Sequence, residues 1–196
     1  MKKKALIIIT ILIVCVAVAV TLVGCVPSRP DRFVTKLLAA EKWAVTFKDS
    51  EGNITSINAI NGNMRMDKAK DNQTFYVVGK TFVEMYRFQD ETWTYECIVD
   101  ESQVATLRKS ILDGDASTLV INPNAPDLKY IQKDFESKYE RRDGRWYERN
   151  TMPASLQIKG SSMIYEKYDT TATYTIGYKI TLPKEAKQAK KDATNK

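Results

Sequence analysis

The chain contains no histidine. That removes Ser-His-Asp and Cys-His nucleophile systems and every zinc site that uses imidazole. Cysteine is scarce, with three in 196 residues. Cys15 and Cys25 lie within and just after an N-terminal apolar run, so Cys97 is the only cysteine of the body and no disulfide can form inside it. No Gly-rich phosphate cradle, Walker lysine or nucleophile elbow is present. Asp113-Gly114-Asp115 lacks the spaced oxygen ligands of a calcium loop. No period repeats closely enough for a solenoid or tandem domains. Carboxylates are scattered, and Glu84 with Glu96 is the one pair that neighbouring strands would bring together. Strand register is not readable to one residue, and a slip of one moves a side chain to the other face. An enzyme is therefore the least expected class, and no metal or cofactor is expected.

Charge asymmetry is also missing from the body. The formal total is +6, from 30 basic and 24 acidic side chains, but residues 31–183 carry 21 basic and 22 acidic ones. The surplus sits at the two ends, in Lys2, Lys3, Lys4 and Arg29, and in a tail with Lys184, Lys187, Lys190, Lys191 and Lys196. A nucleic-acid binder wants a basic face on the domain itself, so nucleic acid is not an expected partner. The tail KEAKQAKKDATNK reads as a solvated helix, with anionic headgroups or cell-wall polymers as the other reading.

What the chain does have is a long hydrophobic run. Three lysines precede Ala5 to Val23, apolar apart from Thr10 and Thr21, and Leu22-Val23-Gly24-Cys25 follows. A basic start, an apolar core and small residues before a cut describe a secretory signal, although nineteen residues would also span a bilayer as an uncleaved anchor. Leu22, Val23, Gly24 and Cys25 resemble the bacterial lipobox. That resemblance implies a diacylglyceryl thioether on Cys25, cleavage before it, and transient partnership with prolipoprotein diacylglyceryl transferase and lipoprotein signal peptidase. Either way the lysines stay inside and the body is held at the extracytoplasmic face of a membrane. That is the plasma membrane in a Gram-positive cell, or the outer membrane in a Gram-negative one. The expected organisation is a signal peptide over 1–24, lipidated cysteine and short linker over 25–30, one domain over 31–183, and the basic tail over 184–196.

The body opens with a helix, with Ser28 as a cap candidate and Phe33, Leu37 and Leu38 on its apolar side, ending near Lys42. Period-two alternation then predicts six short strands. Trp43, Val45 and Phe47 share a face of the first; Asn61-Gly62 marks a hairpin; Trp93 to Val99 forms the last. Cys97 falls on the same strand face as Trp93 and Tyr95, which favours a core role over a reactive thiol. The period then changes. Asp100 or Ser102 caps a helix with Val104, Leu107 and Ile111 inward, closed by Asp113-Gly114. Leu119 to Ile121 reads as a short strand and Asp127 to about Arg142 as a helix, with three or four closing strands after Trp146. The fold class is α+β: a strongly curved antiparallel sheet with helices packed on one side.

Aromatics and methionines crowd the meander. Met64, Met66, Phe75, Phe82, Tyr86, Trp93 and Tyr95 are the ligand-binding candidates, because soft apolar side chains on a sheet face suit an acyl chain. The bland reading is that they fill a core between sheet and helices. Tyr165, Tyr168, Tyr174 and Tyr178 would rim a groove or only stabilise strands. The layout resembles the LolA/LppX group of half-barrel lipoprotein carriers: a helix after the lipobox, then a long meander, carried by Asn63 to Val99. The resemblance implies a curved sheet around a lipid-holding cavity plugged by helices, and a non-catalytic binder of a hydrophobic ligand. A surface protein-protein interaction module, or a structural envelope lipoprotein without a small ligand, is the alternative.

Overall fold

The computed structural model describes residues 29–120, 122–149 and 154–195. The expected signal peptide, with Leu22, Val23 and Gly24, the lipidation site Cys25 and the cap candidate Ser28 lie outside the described residues. Within those residues no helix is long and apolar enough to cross a membrane.

Helix α1 spans Pro30–Leu38. Pro30 sits at its start, where the missing N–H is no loss, and Asp31 and Lys36 complement the dipole at its two ends. Its N-cap is Arg29, with no side-chain capping bond. Arg29 instead pairs with Asp31 at 3.0 Å and with Glu136. The helix stops at Leu38, short of the expected Lys42, because Lys42 already begins a strand that bonds on both sides.

Six strands follow: β1 (Lys42–Lys48), β2 (Ile54–Asn61), β3 (Met64–Ala69), β4 (Asn72–Val78), β5 (Val83–Gln89) and β6 (Thr92–Ile98). Helix α2 (Glu101–Leu112) comes next, capped by the Asp100 carboxylate accepting from the Gln103 N–H at 2.9 Å. Val104 and Ile111 are buried as their spacing predicts. The expected helix from Asp127 to Arg142 is instead two short ones, α3 (Leu128–Gln132) and α4 (Phe135–Lys138). Asp134, at φ 53°, breaks them apart. No strand forms at Leu119, which is buried in a turn, and Ile121 is outside the described residues. Five closing strands complete the sheet: β7 (Tyr139–Arg142), β8 (Arg145–Glu148), β9 (Ser155–Lys159), β10 (Ser162–Lys167) and β11 (Thr170–Ile176). Helix α5 spans Lys184–Thr194.

The eleven strands form one antiparallel sheet in the order β6-β5-β4-β3-β2-β1-β11-β10-β9-β8-β7. Two meanders thus meet at the β1–β11 pair, where Val45 opposes Tyr174. Because side chains alternate, the register divides every residue between two faces. On one face Trp43, Val45, Phe47, Leu156, Met163 and Tyr174 pack under α1, α3 and α4. Farther along that face Val78 and Val83 pack against Val104 and Ile111 of α2. We call this the α1 face. Between its two cores lies a polar patch, in which Asp67 accepts from Asn58 at 2.8 Å and pairs with Arg65 at 2.8 Å.

Helix α5 lies on the opposite face, with Ala44, Ala59, Met66, Phe75, Tyr86, Ile180 and Ala186 buried together. Helices on one side therefore describes α1 to α4 only. The reason is local: Gly177, at φ 82°, turns the chain out of β11, and Tyr178, Ile180 and Leu182 then cross beneath the meander. The basic C-terminal segment is thus a docked helix.

Candidate functional site

The α5 face is the candidate site. Strand pairing lines up three parallel rows across β1 to β6. The central row is Ala44, Ala59, Met66, Phe75, Tyr86 and Tyr95. One flanking row holds Met64, Val77, Glu84 and Cys97, and the other holds Ile57, Lys68, Gln73, Phe88 and Trp93. Aromatic pairs stitch the strands laterally: Tyr86 and Tyr95 at 5.2 Å between centroids, Phe88 and Trp93 at 5.2 Å, and Phe75 and Trp93 at 6.0 Å. The other half of this face is different in kind. There Thr171, Thr173 and Thr175 oppose Glu166, Ile164 and Ser162, and Arg145 pairs with Glu166. The apolar surface is confined to the half that the C-terminal segment crosses.

Six of the seven ligand candidates meet on this surface: Met64, Met66, Phe75, Tyr86, Trp93 and Tyr95. Phe82 does not join them. It lies in the β4–β5 turn, with its carbonyl accepting from the Gly79 N–H at 2.8 Å. A Cβ at Gly79 would stand 2.4 Å from the Phe82 ring, so a larger residue there must push that half-buried ring aside.

Besides Lys68 and Gln73, one largely buried acidic group interrupts the rows. The Glu84 side chain is only 12% exposed and ion-paired with Lys190 of α5. Its carboxylate also accepts from Tyr86 Oη at 2.8 Å and from Tyr95 Oη at 3.1 Å. Burial pushes the Glu84 carboxyl up, while Lys190 and the two tyrosines push it down further, and the net position is below the usual carboxylate range. Burial and the Glu84 charge raise the Tyr86 hydroxyl; burial, Cys97 and Glu84 raise that of Tyr95. Near neutrality Glu84 therefore stays an anion, and Tyr86 and Tyr95 stay hydrogen-bond donors to it. This arrangement fastens a helix; it offers no free base. Glu84 and Glu96 do not pair, because Glu84 opposes Cys97 while Glu96 opposes Met85 on the other face. No cluster of three or more metal-ligating side chains forms among the described residues.

One expectation, a core role for Cys97, needs correction, and the late tyrosines divide between the two readings. Cys97 shares the face of Trp93 and Tyr95 as predicted, but it is exposed. It sits near the end of β6, one of the two edge strands of the sheet, which has a neighbouring strand on one side only among the described residues. The late tyrosines do not gather at one groove. Tyr174 and Tyr165 are buried in the α1-face core, Tyr178 joins the α5 face, and Tyr168 stands 74% exposed. The Tyr174 hydroxyl has no partner among the described residues, and burial raises its pKa.

The residues that sequence reasoning missed are those of the covering segment: Ile180, Leu182, Ala186 and Lys190. The signal was the alternation Tyr178-Ile180-Leu182, followed by alanines at 186, 189 and 193. Against protein-family models and against curated proteins the chain gives no match.

Proposed function

We propose that this is a lipid-anchored, extracytoplasmic binding protein without catalytic activity, which takes a hydrophobic ligand such as a lipid acyl chain on the apolar half of the α5 face. The observation that carries this reading is the confined surface of Met64, Met66, Phe75, Tyr86, Trp93 and Tyr95 beneath the C-terminal segment. The cover lays Tyr178, Ile180 and Leu182 against this surface, Ala186 is the fully buried residue of its helix, and among the described residues Glu84 and Lys190 are the ion pair that latches it. An acyl chain exchanges for the cover and keeps the same aromatic contacts. Methionines adapt to a ligand of irregular outline.

In this reading the eleven-stranded sheet is strongly curved, as open twisted sheets beyond about ten strands tend to be. The likeness in layout to the LolA/LppX half-barrel carriers belongs to the same proposal. So does the anchor: Cys25 carries the diacylglyceryl group, Leu22 to Gly24 complete the lipobox, and the transferase and signal peptidase act before the body works. The host membrane is the plasma membrane, or the outer membrane of a Gram-negative cell.

Native mass spectrometry of residues 26–196, incubated with mixed bacterial lipids, tests the proposal. A stoichiometric added mass that leaves on denaturation and runs as lipid supports it. A clean unliganded mass contradicts it. A second reading, a protein partner pairing along the β6 edge, is favoured by one observation. Among the described residues the edge pairs with no further strand, and it lies beside an apolar groove of about 460 Å³ lined by Ile98, Ser102, Gln103, Thr106 and Leu107.

A further inference from the structure

A separate cavity lies on the α1 face, at the far end of the β10–β11 hairpin. It has a volume of about 410 Å³, at the small end of ligand sites, and is lined by Pro123, Asn124, Ala125, Tyr165, Lys167, Tyr168, Asp169 and Thr170. Its walls are fixed. Asn122 accepts from the Asn124 N–H at 2.9 Å through its side chain and from the Ala125 N–H at 2.9 Å through its carbonyl. The Asn122 amide also donates to Ser56 Oγ at 3.3 Å, tying the Pro-rich loop to β2. The buried Tyr165 ring lies at the inner side.

Two features of the lining, which is open to solvent at Asn124, Tyr168 and Asp169, bear on what it could hold. Among the described residues the side chains of Asn124, Lys167, Asp169 and Thr170 make no hydrogen bond or ion pair, although they offer both donors and acceptors. The other feature is Tyr168. It is 74% exposed and held at φ 50°, a conformation that bulky side chains avoid, with Lys167 Nζ 5.6 Å from its ring centroid. The two-residue turn between Lys167 and Thr170 sets this conformation, as similar turns do at Lys70 and Asp90, and it holds the Tyr168 ring out at the mouth of the cavity.

From this lining we infer that the cavity binds a neutral pyranose, one sugar or a short oligosaccharide end. The charges select the class. Lys167 and Asp169 cancel, so an ion of either sign would lose hydration without a net counter-charge, and a polar lining suits no acyl chain. A sugar hydroxyl both donates and accepts, which matches the free Asn, Thr, Lys and Asp groups. The C–H face of a pyranose is apolar with a slight positive edge, which matches the face of the Tyr168 ring. This site is independent of the α5-face reading: it lies on the other side of the sheet and shares no residue with it.

Saturation-transfer NMR tests the inference on the full chain in phospholipid nanodiscs free of glycolipid and glycoside detergent. The probes are methyl glucoside, N-acetylglucosamine, their β-1,4-linked disaccharides, and sialic acid as an anionic control. The expected result is transfer to ring protons of at least one neutral pyranose and none to sialic acid. Tyr168→Ala weakens that binding about tenfold. Tyr168→Gly weakens it equally while raising the unfolding midpoint, because glycine relieves the backbone. A parallel arm uses nanodiscs containing glucosyl-diacylglycerol; binding seen only there, and competed by soluble sugar, assigns the pyranose to a lipid headgroup. No transfer to any neutral pyranose in either arm overturns the inference. So does equal transfer to sialic acid, or binding unchanged in Tyr168→Ala. A lower midpoint in Tyr168→Gly would make the ring structural and overturn it as well.

Discussion

If α5 is a latched cover, breaking the latch must loosen that helix and leave the rest of the sheet as it was. The latch is Glu84 with Lys190, and the perturbation is Glu84→Gln, which keeps the shape and removes the charge. Its magnitude follows from exposure. Hydrogen bonds to a charged group are worth about 1.5–3 kcal/mol when well buried. Exposed ion pairs are worth about 0.2–1 kcal/mol. Glu84 is 12% exposed but Lys190 is 42% exposed, so solvent screening on the lysine side brings the pair toward the lower range. A coupling of about 1 kcal/mol is reasonable, which is a roughly fivefold shift in an equilibrium. Hydrogen exchange followed by mass spectrometry reads it. Amides of α5 exchange about fivefold faster in Glu84→Gln, and those of β1 and β11 stay unchanged. Lys190→Met gives a similar acceleration, and the double variant adds little to either single one. Acid gives an independent check. Glu84 has a lowered folded pKa, so its contribution is fully present above the ordinary carboxylate pKa and is lost as pH falls through the folded value. After correction for intrinsic exchange, the helix therefore loosens only below about pH 4. Unchanged exchange in both single variants, or additive effects in the double, would refute the latch.

Other expectations concern the fold and the anchor. Tyr174→Phe removes a buried hydroxyl that has no partner among the described residues, and raises stability by about 1 kcal/mol in urea unfolding. The β5–β6 turn places Asp90 and Glu91 at φ 50° and 61°, so replacing them with Asn-Gly stabilises the hairpin by about 1 kcal/mol, seen as a higher urea midpoint. Phe47→Ala, at a fully buried position beside Tyr174 and Trp43 in the same core, costs about 3–5 kcal/mol by the same assay. Labelled palmitate enters the wild-type chain in bacterial cells and not Cys25→Ser, which accumulates with its signal attached; labelling of the serine variant would contradict the lipobox reading.

The first meander was legible because its turns carry their own chemistry. Gly62, at φ 60°, supplies the left-handed position that Asn61-Gly62 announced, and alternation within a strand showed its faces, as with Trp43, Val45 and Phe47 in β1. Helix α2 was legible through Asp100 and the spacing of Val104 and Ile111. The segment after Asp127 misled because Leu128, Ile131, Phe135 and Tyr139 keep helical spacing while Asp134 leaves the helix and Tyr139 enters a strand. There tertiary packing decides: Phe135 stacks on Tyr139 at 4.8 Å and meets Trp146 edge-on at 4.9 Å. The site was legible as a set of residues but not as a place. Lysine density in the C-terminal segment hid the alanine stripe that docks it, and no local signal tells an edge strand such as β6 from an inner one. Cys97 was misjudged for that second reason.

The central claim is that an acyl chain lies against the α5 face, and tryptophan gives a direct reporter. Trp93 is on that face, whereas Trp43 and Trp146 belong to the core of the other. Bromine quenches indole fluorescence only near contact, so a brominated fatty acid is titrated into the body of the wild type and of Trp93→Phe. The account predicts saturable quenching in the wild type that disappears in Trp93→Phe. Absence of saturable quenching, or equal quenching in both chains, would contradict it, the latter by placing the ligand on the opposite side of the sheet.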